Sequence, residues 1–320
     1  MRIASLLPAA TESLCCIDAA DLLIARSHEC DYPPIMTHLP VLTKPLITAT
    51  TPHEIDTQAR SAMAGHHPLY TLDEQLLGDL APDIIVTQDL CHVCSIDLAA
   101  VQRIAATLPS KPRVIALNPQ TFEAVLDDLL TLGQAIGREP QALATITNLR
   151  NRVYSAQEFV NPFAAGESVA MLEWTDPIFI GGHWTPQLIE RAGATHPLNP
   201  TQPLKGAGAA QGPIGMTQRQ AGKSIAIPPE VLVASQPDAI LIAPCGRSLA
   251  QARNDVQALS KSPWWPTLKA VRTGRVALAD GNQFFNRPGP RLVDALEVLV
   301  GWLHNRPALI PPGFLWEKWP

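Results

Sequence analysis

The sequence has no stretch that would place this chain in a membrane or on a nucleic acid. No apolar run approaches the roughly 18 residues that a transmembrane helix requires. Basic residues are scattered, with no cluster longer than a pair, and the formal net charge is −5. Because nucleic-acid binding needs a concentrated basic surface, we expect neither a nucleic-acid partner nor insertion into a membrane.

A secretory leader and the common enzyme signatures are also missing. Met1-Arg2 leads directly into residues 3–8, which predict a first strand and its exit turn rather than a signal peptide. We therefore expect a cytoplasmic protein, unless a leader has been removed. No serine–histidine–aspartate order, phosphate-cradling glycine loop or dinucleotide fingerprint is present, which disfavours hydrolases and nicotinamide-dependent enzymes.

The six cysteines show no spacing that is typical of a disulfide framework. In a reducing compartment a thiol is more often buried, metal-bound or catalytic than structurally paired. Cys15 and Cys16 fall in the predicted first helix, where core packing is the better interpretation. Cys91 and Cys94 form a Cys-x-x-Cys motif shortly after an apolar, β-branched run at residues 84–86, which predicts a buried strand.

Short apolar runs alternate with helical patterns through most of the chain. This βαβ order is typical of a parallel sheet covered by helices. Residues 121–160 carry a helical pattern longer than an ordinary globular helix, and it divides two similar halves. We therefore predict an α/β fold with a Rossmann-like lobe at residues 1–120, a rigid connecting helix and a second such lobe at residues 161–305. A Pro/Trp-rich tail at residues 306–320 is expected to pack on the surface.

Functional groups follow several of the predicted strands. In open α/β sheets, ligands bind beyond the carboxyl ends of the strands. Two lobes joined by a stiff helix imply a ligand cleft between the lobes, with the strand-exit loops facing it. The aperiodic stretch at residues 199–227 is rich in Gly, Pro, Gln and Ala, which predicts a lid or a disordered loop.

Thiol and imidazole groups gather in these strand-exit loops. The candidate metal ligands are His28, Cys30, Cys91, His92, Cys94 and Cys245. Soft thiolates with imidazole suit zinc, copper(I) or iron, and a cobalt centre also accepts nitrogen or sulfur axially. The Cys-x-x-Cys motif has two alternatives, a redox-active pair or small buried side chains after a strand. Each histidine could instead hydrogen-bond a neighbouring loop.

Aromatic and arginine side chains in the second half suit a planar ligand. A stacking wall for a macrocycle, or else part of the core, would be formed by Trp174, Trp184, Phe284 and Phe285. The planar guanidinium groups of Arg287 and Arg291 suit carboxylates or amides, although Arg291 could instead pair with Asp294 or Glu297. His183 follows two glycines, which would let the backbone approach a ligand closely or would form a plain tight turn.

Several motifs between residues 1 and 305 carry a resemblance to a known family. They are Ile3-Ala4-Ser5-Leu6-Leu7-Pro8-Ala9-Ala10-Thr11-Glu12, Asp31-Tyr32-Pro33-Pro34, Pro82-Asp83-Ile84-Ile85, Gln236-Pro237-Asp238-Ala239-Ile240 and Arg287-Pro288-Gly289-Pro290-Arg291. Together they resemble the helical-backbone (class III) substrate-binding proteins of ABC importers, which bind Fe-siderophores, haem or vitamin B12. The resemblance is closest to a leaderless branch described as cobalamin-binding.

The resemblance implies particular site residues. The positions at which B12-binding members press rings and a guanidinium against the corrin fall on Trp174, Phe284, Phe285 and Arg287. Glu29 and Gln88 fall where those members carry a tyrosine and a tryptophan, so polar groups replace the apolar platform of the first lobe. Glu54 and Glu230 fall near the glutamates that dock onto permease arginines, although both also suit the first turn of a helix.

Three functions remain open at this point. The first, which we favour, is binding without turnover of a corrinoid, haem or another metal chelate, by an intracellular carrier, sensor or salvage component that could have an ABC permease as its partner. The second is a zinc or iron protein with Cys and His ligands, either a metallochaperone or a chelatase-like enzyme. The third is a thiol oxidoreductase that acts through Cys91 and Cys94.

Overall fold

The computed structural model describes residues 1–89, 96–161, 164, 166–209 and 215–320. These residues divide into two compact units. Unit 1 comprises residues 1–119 and 124–148, and unit 2 comprises residues 120–123 and 149–320. Each unit has helices packed on a central sheet, so the predicted α/β class with two lobes is confirmed.

Unit 1 is built on a parallel sheet. Its strands are β1 (Ile3–Ser5), β2 (Leu23–Arg26), β3 (Thr43–Pro45), β4 (Tyr70–Leu72), β5 (Ile84–Gln88) and β6 (Arg113–Leu117). Its first helices are α1 (Pro8–Cys16), α2 (Pro52–Ala64), α3 (Glu74–Leu80) and α4 (Leu98–Thr107). The sheet order is β2-β1-β5-β6, with all three pairings parallel, while β3 and β4 form a separate antiparallel pair.

The core of unit 1 explains its continuous apolar strand pattern. Every residue of β5 is buried, as expected for an interior strand of a parallel sheet with covered faces. Ile85 of β5 packs in one cluster with Leu77 of α3 and Val101 of α4. Burial of each such side chain contributes about 1.5 to 3 kcal/mol, so this cluster fixes both helices on the sheet.

Short polar side chains set the starts of several helices. Thr51, Asp73, Asp97 and Ser248 each accept a hydrogen bond from a backbone N–H in the first turn of the helix that follows. Gln251 completes a capping box with Ser248. Such a cap satisfies an otherwise unpaired donor and contributes about 1 kcal/mol.

The stretch predicted as one connecting helix contains two helices, α5 (Phe122–Ile136) and α6 (Glu139–Gln157). Gly137 adopts a left-handed conformation with a φ of 74°. The N–H of Arg138 donates to the carbonyl of Gly133 at 2.7 Å, which is the 6→1 hydrogen bond of a Schellman motif. Pro140 then suits the first turn of α6. Glycine geometry therefore ends one helix, and proline favours the start of the next.

Unit 2 has a parallel sheet centre flanked by antiparallel strands. Its strands are β7 (Val169–Thr175), β8 (Ile178–Ile180), β9 (Gln202–Pro203), β10 (Arg219–Gln220), β11 (Ile225–Ala226), β12 (Ala239–Ile242), β13 (Val276–Ala279) and β14 (Trp316–Trp319). Its helices are α7 (Thr185–Arg191), α8 (Pro229–Ser235), α9 (Leu249–Leu259), α10 (Lys269–Arg272) and α11 (Leu292–Leu303). Within the described residues, the main sheet has the order β11-β8-β7-β12-β13-β14, and β9 pairs with β10.

The C-terminal segment differs from the predicted surface tail. β14 pairs antiparallel with β13 and extends the main sheet of unit 2, with Trp316 opposite Ala279 and Trp319 opposite Val276. Phe314, just before β14, is buried. β14 lies at the edge of this sheet, and the prolines before it lie outside the strand, where they remove no hydrogen bond from the ladder.

Among the helices of the described residues, none is long and apolar enough to cross a bilayer.

A buried histidine makes the stability of unit 2 depend on pH. His196 is fully buried, and its Nε2 accepts a hydrogen bond from the Met171 N–H of β7 at 3.3 Å. Burial lowers its pKa from 6.5 to about 4. Between these values the unfolded chain binds a proton that the folded chain excludes, so stability is retained above pH 6.5 and falls as the pH drops toward 4.

We expect the free energy of unfolding to decrease by about 3 kcal/mol as the pH falls from 6.5 to 4, from this group alone. Urea unfolding of the full chain at a series of pH values measures this loss. His196→Gln retains an acceptor for the Met171 N–H and should remove most of the dependence, whereas His66→Gln, at an exposed histidine, should retain it. An unchanged pH profile in the His196 variant would contradict the assignment.

Candidate functional site

The strand ends of unit 2 meet at one edge of its sheet, because β7, β12 and β13 are parallel neighbours. The loop that follows β12 is hydrogen-bonded both to β7 and to the loop that follows β13. The N–H of Cys245 donates to the carbonyl of Glu173 in β7, and the N–H of Asn282 donates to the carbonyl of Arg247, both at 3.0 Å. The end of β7 and these two loops therefore form one connected surface at the position where α/β sheets bind ligands.

Polar side chains of the loop after β13 hold this surface together. Asp280 is 2% exposed, and its carboxylate accepts hydrogen bonds from the N–H groups of Asn282, Gln283 and Leu249 at 2.9 to 3.1 Å. The Asn286 side chain donates to the carbonyl of Ala243 at 2.8 Å, beyond the end of β12. A buried carboxylate needs several donors, so its three bonds restrict the loop backbone strongly.

The loop after β12 is held to helix α9 by a buried ion pair. The guanidinium of Arg247 donates to both carboxylate oxygens of Asp255 in α9, at 2.7 and 2.8 Å, and both residues are buried. Gly246, with a φ of 70°, turns the chain between Cys245 and Arg247. Cys245 is half-buried and carries a free thiol.

A second segment of unit 2 presents His183. Gly182 lies so close to residues 222–224 that a Cβ atom would come within 2.3 Å of the Ser224 nitrogen. The N–H of His183 donates to the carbonyl of Gly222 at 2.9 Å, and the Asn199 amide donates to the carbonyls of Gly181 and Lys223 at 3.1 Å. The glycines therefore let the backbone approach another segment of the protein, whereas the sequence predicted an approach to a ligand or a plain turn.

The imidazole of His183 is partly exposed and held in a fixed direction. Its backbone is in the left-handed region, with a φ of 54°. The ring stacks on Trp184, with 5.6 Å between the ring centroids. Burial, and then the charge of Lys223, lower the pKa of His183 below its ordinary value, so the ring is largely neutral near pH 7.

Trp174 is the one residue of the predicted aromatic wall that is partly exposed. It lies in β7, and its Nε1 donates to the carbonyl of Asp176 at 3.1 Å, which orients the ring. The neighbouring Glu173 carboxylate accepts a hydrogen bond from Ser224 at 2.7 Å. Unit 2 therefore presents a partly exposed aromatic ring, and the carboxylate that precedes it in the sequence is held by Ser224.

The other predicted wall residues pack in the core of unit 2. Phe285 is fully buried and Phe284 is 5% exposed, and both contact Phe314, with Phe284 stacked at a centroid distance of 3.8 Å. Trp184 is 5% exposed, and its Nε1 donates to the carbonyl of Phe285 at 2.6 Å. The predicted role of these three rings as a ligand platform is therefore corrected to a packing role, because Phe314 and the loop backbone cover them.

The two predicted arginines also make internal contacts. Arg287 donates to Asn282 at 3.1 Å, while Arg291 donates to Gln283 at 3.0 Å and lies 5.0 Å from the centre of the Phe284 ring. Both are less than a tenth exposed. Asp294 and Glu297 both pair with Arg152 at 2.5 Å, and the alternative pairing of Arg291 with either of them stays a prediction.

The predicted donors of unit 1 follow β2 and β5. Cys30 is fully buried, and its sulfur lies 3.1 Å from the Thr11 hydroxyl and 3.2 Å from the Ser27 hydroxyl. His28 places Nδ1 2.6 Å from the Thr43 hydroxyl, and burial, followed by the charge of Arg26, lowers its pKa.

Glu29 and Gln88 have different exposures at the same sheet edge. Glu29 is half-buried, with its carboxylate 4.0 Å from Nε2 of His28. Gln88 is buried at the end of β5. Because Gln88 is buried, it is poorly placed to contact a ligand, whereas part of the Glu29 side chain is accessible.

The described residues contain no group of three His, Cys, Asp or Glu side chains that could hold a metal ion. Cys91, His92 and Cys94 lie outside the described residues, so their predicted ligation stays a prediction. His28, Cys30 and Cys245 therefore belong to no such group of three within the described residues.

The predicted docking glutamates are exposed and begin helices. Glu54 lies in the first turn of α2, where its carboxylate accepts a hydrogen bond from the Thr51 hydroxyl at 2.8 Å. A shallow depression of about 500 Å³ lies beside it, lined by residues between Thr48 and Gln58. Glu230 lies in the first turn of α8. Both positions fit the helix dipole as well as a docking role.

The family model for periplasmic binding proteins matches residues 3–282 of the sequence. The chain belongs to the periplasmic binding protein family. The resemblance that the motifs predicted is thereby confirmed at the level of the family, while the cobalamin-binding branch stays a prediction. No curated protein sequence matches this family member.

Solved structures show the same fold. A periplasmic haem-binding protein from Pseudomonas aeruginosa is 19% identical, with a TM-score of 0.66 over 95% of this chain and 92% of the other. A periplasmic vitamin B12-binding protein of Vibrio cholerae is 17% identical, with a TM-score of 0.64 over 96% and 97%. An ABC-type Fe3+-hydroxamate transport system from Saccharomonospora viridis is 17% identical, with a TM-score of 0.60 over 94% and 92%.

The site of this periplasmic binding protein includes residues that the sequence did not reveal. Ser224 reaches Glu173 only because β11 pairs with β8, and both strands are too short to give a periodic pattern. Asn199 lies in the aperiodic stretch, where it looks like any loop residue. Asp280 was detectable in principle, since an acidic residue between an apolar run and glycine is typical of a strand exit.

Gly281→Ala should force the strand-exit loops apart, because a Cβ atom at this position would lie 2.0 Å from the Pro244 carbonyl oxygen. We expect a loss of about 1 to 3 kcal/mol in stability, measured by thermal or urea unfolding. Gly78→Ala in α3 is the control, since its Cβ would lie 3.6 Å from the nearest atom, Cδ2 of Leu108. That variant should be unchanged or more stable by up to about 1 kcal/mol. Equal stability of both variants would refute the packing argument.

Proposed function

We propose that this family member binds a metal-containing tetrapyrrole or a comparable metal chelate, with a corrinoid as the first candidate, and releases it unchanged. The family match supports a ligand-binding role. Proteins with the same fold include binders of haem and vitamin B12, although identities below 20% relate the folds and not the ligands. The observation that carries the proposal is the surface of unit 2, where Trp174 remains partly exposed among rigid loops.

The chemistry of this surface suits a flat ligand with polar substituents. The Trp174 indole offers an aromatic face to a conjugated ring. The Glu173 carboxylate and the backbone groups after β12 and β13 offer acceptors and donors for amides at the ring edge. Because hydrogen bonds already fix these loops, little conformational entropy is lost when a ligand binds.

The cleft predicted between the two lobes stays a prediction, and the proposal rests on the surface of unit 2 by itself. The alternatives, a zinc or iron protein and a thiol oxidoreductase, depend mainly on Cys91, His92 and Cys94. These lie outside the described residues, and no contact in the described part favours either alternative over chelate binding.

A permease partner is a further part of the proposal. The fold is shared with an ABC transporter substrate-binding protein from Listeria monocytogenes, at 15% identity. Glu54 and Glu230 are the residues through which we expect a permease contact.

Trp174→Leu should weaken binding of aquocobalamin or haem by about 3- to 10-fold, because the stacking surface is lost while an apolar side chain remains. Titration of the purified full chain, followed by visible absorbance, measures the dissociation constant. Trp316→Leu, at a partly exposed tryptophan in β14, is the control and should bind as the unchanged chain does. If the chain without substitutions binds neither aquocobalamin nor haem, the proposed function is refuted. Equal affinity of both variants would remove Trp174 from the site.

A further inference from the structure

We propose that the Asp176 carboxylate makes the site select chelates whose ring edge carries neutral amides over chelates whose ring edge carries carboxylates. This inference rests on the proposed function and narrows its ligand class to amide-edged corrinoids. Haem and such corrinoids are both flat metal chelates, but haem presents carboxylates at its edge. A charged side chain beside the stacking surface distinguishes the two by charge, whichever metal the ring holds.

The first observation is the position of Asp176 next to the Trp174 ring. Asp176 and Pro177 form the short turn between β7 and β8, in which Thr175 pairs with Ile178. The carbonyl oxygen of Asp176 accepts the hydrogen bond of the Trp174 indole at 3.1 Å. Because the carbonyl and the carboxylate of one residue are only a few bonds apart, the carboxylate lies within about 8 Å of the indole nitrogen.

The second observation is the exposure of this pair. Asp176 is exposed, and the Trp174 ring beside it is partly exposed. A tetrapyrrole is much wider than an indole, so a ligand stacked on Trp174 extends over the residues at the edge of the ring. An amide of the ligand can donate a hydrogen bond to the Asp176 carboxylate, whereas a carboxylate of the ligand has no proton to donate and is repelled.

The third observation is the balance of charge around Trp174. The Glu173 carboxylate accepts a hydrogen bond from the Ser224 hydroxyl at 2.7 Å. Lys223, next to Ser224 in the chain, is exposed, so its charge offsets that of Glu173 in part. Residues 173–177 and 222–224 carry two carboxylates, those of Glu173 and Asp176, and one base. This part of the surface therefore favours an uncharged ring edge over an anionic one.

The arginines of the neighbouring loops are poorly placed to reverse this preference. Their guanidinium groups are each on a residue less than a tenth exposed, and they hydrogen-bond within unit 2: Arg247 to Asp255, Arg287 to Asn282 and Arg291 to Gln283. A buried group that already has a partner can turn toward a ligand carboxylate only by breaking that hydrogen bond, which costs free energy. The exposed carboxylates beside Trp174 therefore meet the ligand edge first.

The test compares two corrinoids that differ only at the ring edge: dicyano-cobyrinic acid, which carries carboxylates, and its fully amidated derivative. Cyanide fills both axial positions, so coordination of the metal by the protein does not enter the comparison. Isothermal titration calorimetry with the purified full chain gives both dissociation constants. We expect the amidated corrinoid to bind about 10-fold more tightly. This preference should shrink as the ionic strength rises from about 0.01 to 1 M, because salt screens the repulsion.

Asp176→Asn removes the charge and retains the backbone carbonyl that binds Trp174. It should reduce the preference for the amidated corrinoid by about 3- to 30-fold, mainly through tighter binding of the carboxylate form. A structural disturbance would weaken both corrinoids alike, so the ratio of the two dissociation constants separates charge from folding. Asp79→Asn, at an exposed aspartate of α3, is the control and should keep the ratio of the chain without substitutions.

Equal binding of both corrinoids, or a preference for the carboxylate form, would show that the inference is wrong while the proposed function stands. The inference is also wrong if Asp176→Asn keeps the original preference, or if the chain binds haem and neither corrinoid. Should Asp176→Asn not fold, a preference that does not change with ionic strength overturns the inference, and one that shrinks supports it. If the chain binds neither corrinoid and no haem, the proposed function itself is refuted.

Discussion

The buried carboxylate of Asp280 is the interaction on which the strand-end surface of unit 2 depends. Three backbone N–H groups from two segments converge on it, from residues 282 and 283 and from the start of α9. A carboxylate buried without such partners would cost several kcal/mol, so the loop keeps the conformation that satisfies it. Asn286 extends the same constraint to the end of β12. These hydrogen bonds connect the loops of the surface to the start of α9 and to the end of β12.

This constraint also decides which aromatic side chains are exposed. The loop after β13 turns inward, and Phe284 and Phe285 meet Phe314, a residue that the pairing of β14 with β13 brings close. Trp174 precedes the β7–β8 turn and has no comparable cover. The distribution of rings between core and surface is therefore a consequence of strand order. The number of aromatic residues in a loop does not predict whether their rings are buried.

The sequence predicts what depends on local pattern and misses what depends on distant pairing. The buried strand at residues 84–86 and the βαβ alternation follow from side-chain periodicity, and the structure contains them. The break at Gly137 was detectable, because glycine followed by Glu-Pro is typical of a helix end and a new start. The edge strand β14 and the contact of Ser224 with Glu173 were not, since each requires a partner more than 35 residues away. The same limit explains why a partly exposed His183 and a buried Trp184 are indistinguishable in the sequence.

The strand ends of the two units use their polar side chains differently. In unit 1 the thiol of Cys30 lies between two hydroxyl groups, and His28 is bound to Thr43, so turning either toward a ligand would break a hydrogen bond. A buried polar group left without its partner costs about 1 to 3 kcal/mol, which opposes such a turn. In unit 2 the buried side chains of Asp280 and Asn286 hold the strand-end loops through bonds to the backbone. The side chain of unit 2 that we propose as a ligand contact, Trp174, is oriented by its hydrogen bond to the Asp176 carbonyl.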